Sequence, residues 1–428
     1  MNNFNRCIVL FFFVTLPFAA SAKVPAPEIP EPLTLAWCLE RARRANPDLE
    51  RAAAVAAAAR QRIVPAGAFD DPRLTYEASN IPTGDFDFGS TPLSGHHLGL
   101  RQKFPFPGLL SHRRDAAKKG ARASEYLVDD QRFLIDGAVE MAWAELNFSQ
   151  RALGITHRNV SLLRQLSATA ESRYRVGNGL QQDVLRAQVE LTVLLQEQLR
   201  RREAIERAEA WLIELLDLPA KTHLPPTDTL RLVADQPMLE PLLDALEERS
   251  ARLAAARKDV EAAESRIRAV KLEGLPEFDL GIGYRIRKSV PGDPVNGDDF
   301  VSAGVTIRLP VNRSKWRARV SEQRAHLRRS KADLRATRAA LVSQTRRAHA
   351  ELTRASSEEA LLETGLVPQA RQSLESSRSA YEVGRIEFLS LLDSQVRLLD
   401  AELRLARARA DKRRAFAALE AAAGEKLR

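Results

Sequence analysis

Residues 174–191 read Tyr-Arg-Val-Gly-Asn-Gly-Leu-Gln-Gln-Asp-Val-Leu-Arg-Ala-Gln-Val-Glu-Leu, and residues 381–398 read Tyr-Glu-Val-Gly-Arg-Ile-Glu-Phe-Leu-Ser-Leu-Leu-Asp-Ser-Gln-Val-Arg-Leu. The two stretches align without a gap at one offset, the 207 residues from 174 to 381. They share Tyr, Val, Gly, Leu, Gln, Val and Leu, in that order. A single internal offset indicates that one structural unit is used twice.

Each stretch joins two long helical patterns through a glycine turn. Residues 109–173 contain no proline and only three glycines, and a helix of that length would reach roughly 100 Å. Such length predicts coiled-coil-like packing against similar helices. Gly177, Gly179 and Gly384 are predicted at left-handed turn positions, where a Cβ is penalised.

The repeat predicts the organisation of the whole chain. Each copy follows a helix–strand–strand–helix–helix plan. The expected units are a signal peptide over 1–22, a Pro-rich leader over 23–34, a first repeat over 35–220, a linker over 221–240 and a second repeat over 241–428. The patterns predict helices over 35–63 (with a bend at Asn46-Pro47), 109–173, 182–216, 241–273, 316–381 and 388–423.

The first 22 residues have the three parts of a secretory signal. A short charged start precedes an apolar run over 7–20, and Ala20-Ser21-Ala22 fits a cleavage site. A membrane-anchoring helix would need about 18 or more apolar residues, so the run favours export. No later segment is apolar enough for a spanning helix, which leaves an exported soluble protein or a β-barrel as alternatives.

Charge and cysteine content exclude several classes of protein. The chain has 65 basic and 56 acidic residues, but Arg and Glu alternate along the helices, which is typical of solvated helix faces rather than nucleic-acid sites. Beyond the signal, Cys38 is the single cysteine, so no internal disulfide is expected. The sequence has no spacing typical of a catalytic pair, a phosphate-binding loop or a nucleophile elbow, which predicts that the protein is not an enzyme and has no cofactor.

Four short segments decide the fold class. Residues 73–79, 97–104, 278–287 and 301–309 alternate apolar with polar or glycine residues, as transmembrane β-strands do. The alternative is two half-buried hairpins of a soluble domain. Because the smallest known barrels have eight strands, four strands could close a barrel only with strands of other chains.

At this point the sequence resembles the TolC-type outer-membrane efflux proteins. The resemblance covers nearly the whole mature chain. It rests on the duplicated plan, the two Tyr-x-Val-Gly turns, and the strand exits Phe104-Pro105 and Leu309-Pro310. It implies a mainly α protein with a transmembrane β-barrel: a homotrimer with a 12-stranded barrel in the outer membrane and a long α-helical barrel in the periplasm. The implied role is the exit channel of an efflux system, with a periplasmic adaptor and an inner-membrane pump as partners.

The resemblance also assigns residues. In the family the Val-Gly turns receive the adaptor, which maps to Val176, Gly177, Val383 and Gly384. The periplasmic gate of the family maps a tyrosine to Tyr381, its aspartate partner to Asp183 and one acidic ring to Asp393. A second acidic ring and a gate arginine are lost in this chain, where Ser390 and Ile386 stand at those positions.

The substrate is less constrained than the fold. Asp71-Pro72 and residues 103–111 look most like the heavy-metal branch of the family, which predicts heavy-metal ions or small toxic compounds as cargo. The alternatives are a type I secretion channel and a soluble periplasmic coiled-coil adaptor or scaffold. His96-His97 is a candidate metal pair, but adjacent side chains diverge on a strand, so no metal site is predicted.

Overall fold

The computed structural model describes residues 28–84, 86–229 and 237–427. Three predicted parts of the chain lie wholly or partly outside these ranges: the signal peptide, residues 23–27 of the leader and residues 230–236 of the linker. The described chain is mainly helical, with four strands in one sheet.

The first half contains five helices and two strands. In chain order they are α1 (Leu35–Ala45), α2 (Pro47–Gln61), α3 (Ile63–Gly67), β1 (Arg73–Ser79), β2 (Gly95–Phe104), α4 (Leu109–Arg175) and α5 (Gln181–Leu215). The bend predicted at Asn46-Pro47 is confirmed. The Asn46 side chain accepts hydrogen bonds from the backbone N–H groups of Asp48 and Leu49 (3.0 and 3.4 Å), and Pro47 occupies a first-turn position that needs no N–H donor.

The second half repeats the order of the long elements. It contains α6 (Leu239–Arg249), α7 (Ala251–Glu273), β3 (Glu277–Ile286), β4 (Phe300–Arg308), α8 (Arg313–Leu361), α9 (Val367–Glu382) and α10 (Phe388–Ala423), with a π-helical turn over Leu362–Leu366 between α8 and α9. The bounds of α10 agree with the predicted 388–423. The other long elements start or end within a few residues of their predicted positions, except where two helices are interrupted.

The single helix predicted over 241–273 is wrong, because Ser250 interrupts it. Ser250 has extended backbone angles, and its hydroxyl accepts a hydrogen bond from the Leu253 backbone N–H at 3.3 Å. A serine that caps a new helix competes with continuation of the old one. Ser250 therefore ends α6 and begins α7, much as Asn46 separates α1 from α2.

The continuous helix predicted over 316–381 is also wrong. The backbone N–H of Val367 bonds to the carbonyl of Leu362, five residues back, where an α-helix would use the fourth. Pro368 follows directly, and it lacks an N–H donor and crowds the carbonyl four residues earlier. The helix accommodates the proline through one wider turn and continues as α9.

The four strands form one antiparallel sheet in the order β1-β2-β3-β4. Its register brings residues of one type into rows: Tyr76, Leu98, Tyr284 and Val301 are neighbours across the four strands, and Thr75, Gly99, Gly283 and Ser302 form the next row on the opposite face. β1 pairs only with β2 and β4 only with β3 in the described chain. Most residues of β1 and β4 are exposed, whereas in β2 and β3 the exposed residues lie mainly on the apolar face.

The helices pack around α4, which contacts α1, α2, α3, α5, α7 and α10. Three separate clusters of buried apolar residues lie along them. One is centred on Trp143 and Leu212, one on Leu352 and Phe416, and the third on Tyr381 and Phe388. Within the described ranges, no helix combines the length and the apolar character that crossing a membrane requires.

Candidate functional site at the two helical tips

The two aligned stretches form two helical tips of equal length. The first tip, residues 176–180, joins α4 to α5, and the second tip, residues 383–387, joins α9 to α10. Both positions where the sequence predicts adaptor docking, the Val-Gly pairs, therefore lie in these connections.

The two tips begin with the same backbone motif. At the first tip the Asn178 N–H bonds to the Arg173 carbonyl and the Gly177 N–H to the Tyr174 carbonyl (2.9 and 3.0 Å). At the second tip the Arg385 N–H bonds to the Ala380 carbonyl and the Gly384 N–H to the Tyr381 carbonyl (2.8 and 2.9 Å). This is the Schellman arrangement, which pairs the last carbonyls of a helix.

The motif explains two of the three glycines. Gly177 and Gly384 have φ angles of 79° and 73°, the left-handed region that favours glycine. The prediction for Gly179 is wrong, since Gly179 does not have a positive φ. A Cβ on Gly179 would instead lie 3.0 Å from the Tyr174 backbone nitrogen, so close approach of the chain is what requires glycine there.

The valines beside the glycines are available to a partner. Val176 and Val383 are each 67% exposed, and each ends its helix with nearly the same backbone angles. Neither valine side chain is buried against its own chain, so both are free to pack against a partner and fit the predicted docking role. The docking itself stays a prediction.

The two tyrosines of the aligned stretches lie in different environments. Tyr174 is 44% exposed, whereas Tyr381 is 5% exposed. The Tyr381 ring packs edge-to-face on Phe388, with centroids 5.6 Å apart. At the offset of 207 the position of Phe388 is taken in the first repeat by the exposed Gln181, so the first tip has no equivalent aromatic packing.

Arg173 connects the two tips. Its guanidinium donates a hydrogen bond to the backbone carbonyl of Tyr381. The same guanidinium lies over the Tyr381 ring, with Cζ 4.7 Å from the centroid, in the range of a cation–π interaction. Sequence reasoning missed both Arg173 and Phe388; the available signal was their mismatch with Ala380 and Gln181 at the repeat offset.

The predicted gate pair is close enough to interact electrostatically. Burial raises the pKa of the Tyr381 phenol; the Arg173 guanidinium lowers that pKa and the Asp183 carboxylate raises it. In the described ranges no hydrogen bond joins the Tyr381 hydroxyl to the Asp183 carboxylate. The hydrogen bond that the family resemblance implies therefore stays a prediction.

Asp393 lies on the exposed surface of α10 and pairs with Arg397, Oδ2 to Nε 2.8 Å. Both side chains are exposed, and the pair is one helical turn apart on one helix. The structure of one chain does not bring Asp393 next to Tyr381 or Asp183. Its role in an acidic ring stays a prediction for the assembled protein.

The two adjacent histidines do not form a joint site. The His96 ring stacks on Phe88, with centroids 4.0 Å apart, and its Nδ1 is 2.8 Å from the Tyr76 hydroxyl. His97 lies on the polar face, beside Gly283. Among the described residues, no group of three or more His, Cys, Asp or Glu side chains could hold a metal ion.

Solved structures with the same fold include the outer-membrane channels OprN and MtrE and the outer membrane protein VceC. OprN has a TM-score of 0.78 at 18% identity, covering 92% of this chain and 90% of its own. VceC from Vibrio cholerae has 0.76 at 20%, covering 91% and 96%. The open state of MtrE from Neisseria gonorrhoeae has 0.76 at 15%, covering 91% and 89%. No curated protein sequence was found to match the chain.

The sequence profile of the outer membrane efflux protein family matches residues 38–217 and 242–425. The chain therefore belongs to this family. The resemblance seen in the sequence and the predicted outer-membrane location are confirmed. Members of the family are channels rather than enzymes, and they work as trimers with periplasmic adaptors and inner-membrane pumps.

Proposed function

We propose that this protein is the outer-membrane exit channel of a tripartite efflux system. Three copies would contribute four strands each to a 12-stranded barrel, and their helices would continue as an α-helical barrel through the periplasm. Substrate would arrive from an inner-membrane pump through a periplasmic adaptor and leave without covalent chemistry.

The sheet is the observation that carries this proposal. One face presents exposed apolar side chains, the other presents polar and glycine residues, and no helix of the described residues covers either face. The exposed large apolar residues of that face are Leu74, Tyr76, Leu98, Leu100, Phe278, Leu280, Ile282, Tyr284, Ile286, Val301, Val305 and Ile307. An apolar outside and a polar inside are what a barrel strand needs in lipid.

The free edges of β1 and β4 support closure by other copies. An unpaired edge strand exposes N–H and C=O groups that template further pairing, and within a bilayer every such group must be paired. Antiparallel pairing of β4 with β1 of a second copy satisfies both edges, and three copies give twelve strands. A soluble adaptor or scaffold would leave this apolar face and both edges exposed to water.

The long helices support the periplasmic part. At 1.5 Å per residue, the 67 residues of α4 extend about 100 Å from the sheet to the first tip. The halves 35–220 and 241–428 supply corresponding helical pairs, in keeping with an internal duplication. Val176, Gly177, Val383 and Gly384 would receive the adaptor, and Asp183, Tyr381 and Asp393 would line the gate.

The proposed cargo is heavy-metal ions or small toxic compounds. This rests on Asp71-Pro72 and residues 103–111, which look like the heavy-metal branch of the family. A type I secretion channel would share the architecture and differ in cargo. Growth protection of a deletion strain against metals, dyes and detergents, compared with secretion of a polypeptide substrate, would separate the two.

Planar-bilayer recording of the purified protein tests the channel. We expect discrete conductance steps and an oligomer band of three chains on an unheated gel. A water-soluble monomer that never inserts would contradict the proposal and favour the periplasmic scaffold.

A further inference from the structure

We propose that Arg173 is a latch that holds the first tip against the second and keeps the predicted periplasmic gate of the channel closed. The inference rests on the proposed channel function and adds a residue that the predicted gate does not include. The latch consists of the Arg173 guanidinium together with the backbone carbonyl and ring of Tyr381.

The latch joins two helical hairpins that lie far apart in the sequence. Arg173 lies in the last turn of α4 and Tyr381 in the last turn of α9, 208 residues apart. One guanidinium makes two unlike contacts with one residue, a hydrogen bond to its carbonyl and a face contact with its ring at 4.7 Å. Both contacts are lost together if the hairpins separate.

The guanidinium is committed to this contact. Arg173 forms no salt bridge in the described part of the chain, whereas Arg175, on the same turn, pairs with Glu171 at 4.0 Å within its own helix. Arg173 is half-buried, and a partly desolvated cation without a carboxylate partner depends on the acceptors that it does have. For Arg173 these are the carbonyl and the π face of Tyr381.

The second tip leaves room for the guanidinium. A Cβ on Gly384 would lie 3.3 Å from Nη2 of Arg173, whereas the same construction on Gly177 meets nothing within 4 Å. The repeat position of Arg173 in the second half is Ala380, so the latch has no reciprocal partner. It runs in one direction, from the first hairpin to the second.

The helix held by the latch has a natural point at which to bend. α9 is separated from α8 by the π turn over Leu362–Leu366, and Pro368 follows it. Helices kink at π turns and prolines. Release of Tyr381 would therefore let α9, a 16-residue helix that packs on α10, move outward with the second tip.

The first experiment compares Arg173→Ala with Arg175→Ala in planar bilayers. Loss of the latch is expected to raise the ratio of open to closed time about tenfold, which corresponds to about 1.4 kcal/mol. Arg175→Ala removes an equal charge from the same tip and should leave the ratio unchanged. Arg173→Lys keeps the charge without the planar fork and should fall between the two.

A second readout does not depend on conduction. Spin labels on cysteines placed at the exposed Val176 and Val383 report the distance between the tips, with labelled chains diluted among unlabelled ones. Cys38 is fully buried and stays unlabelled, and Cys7 lies in the predicted signal. Arg173→Ala should broaden and lengthen the distance distribution, and Arg175→Ala should not.

Each remaining outcome overturns a defined part of the proposal. An unchanged tip distance in Arg173→Ala, with the trimer band and helical circular dichroism retained, shows that there is no latch. Equal effects of both arginines assign the change to surface charge. If the tips separate in Arg173→Ala but the open time does not rise, Arg173 holds the tips together without keeping the pore closed. If no variant conducts, the channel proposal fails while the distances still judge the latch.

Discussion

The two tips have the same backbone conformation and differ in the side chains that pack around them. Gly177 and Gly384 take the same left-handed conformation, and both helices end in Schellman hydrogen bonds. The tyrosine of the first tip is nevertheless exposed and that of the second is buried under Arg173 and against Phe388. Local sequence therefore sets the turn, while positions outside the shared motif decide which tip becomes a packed contact.

The difference suggests a division of labour within the proposed channel. Both tips expose a valine, so both fit the proposed docking role. Only the second tip ties its tyrosine to the other hairpin, so it is the better candidate for a gate.

Phe388→Ala should damage the second tip most. Phe388 is buried in the cluster that contains Tyr381 and Leu391, and truncating a buried phenylalanine costs about 3–5 kcal/mol. Gln181→Ala, at the equivalent exposed position of the first tip, should stay within about 0.5 kcal/mol. Hydrogen exchange of α9 and α10 against α5 checks this, and equal exchange in the two variants would contradict the asymmetry.

Gly384→Ala should cost more than Gly177→Ala. Both substitutions place a Cβ at positive φ, which costs roughly 1–2 kcal/mol. Only at Gly384 does the new Cβ also crowd the Arg173 guanidinium. Urea midpoints should show the excess for Gly384→Ala, and it should vanish in an Arg173→Ala background. An excess that persists there would remove the guanidinium as its cause.

Tyr381→Phe should change the alkaline behaviour of the protein. Burial is the main cause that raises the pKa of Tyr381 in the folded protein. The un-ionised phenol therefore contributes to folding stability below its ordinary pKa of about 10, and this contribution is lost as the pH rises through the higher pKa of the folded state. The absorbance difference at 295 nm between the unmodified chain and Tyr381→Phe should therefore titrate above pH 10. A midpoint at or below 10 would mean that the phenol is not shielded.

Asp393→Ala should barely affect stability. Its exposed pair with Arg397 is worth about 0–1 kcal/mol. If three Asp393 carboxylates form a ring in the trimer, the variant should still reduce cation selectivity. Asp400→Ala is the matched control. Asp400 lies two helical turns further along α10 and pairs with Arg404 at the same distance of 2.8 Å. Equal selectivity changes would argue against a ring at Asp393.

The errors of the sequence reading have local and long-range causes. A helical pattern of apolar residues continues through Ser250 and through the Leu362–Leu366 turn, so periodicity predicts no interruption at either place. At the turn, Pro368 is a local signal of a break, but the prediction of one helix over 316–381 follows the periodicity instead. Gly179 was assigned the wrong reason, since glycine serves close approach as well as positive φ. Asn46-Pro47 was read correctly because its cap and its proline are both local signals.

Residue patterns alone predict the repeated plan, the strand alternation, the two glycine turns and the family. These depend on residue periodicity and on backbone preferences that act within a few positions. Packing between distant parts of the chain buries Tyr381 and brings Arg173 to it across 208 residues. Tertiary structure also leaves the sheet, within the described ranges, with two uncovered faces and two free edges. Such contacts depend on which helices pack against each other. Neither the spacing of apolar residues nor secondary-structure propensity predicts that packing.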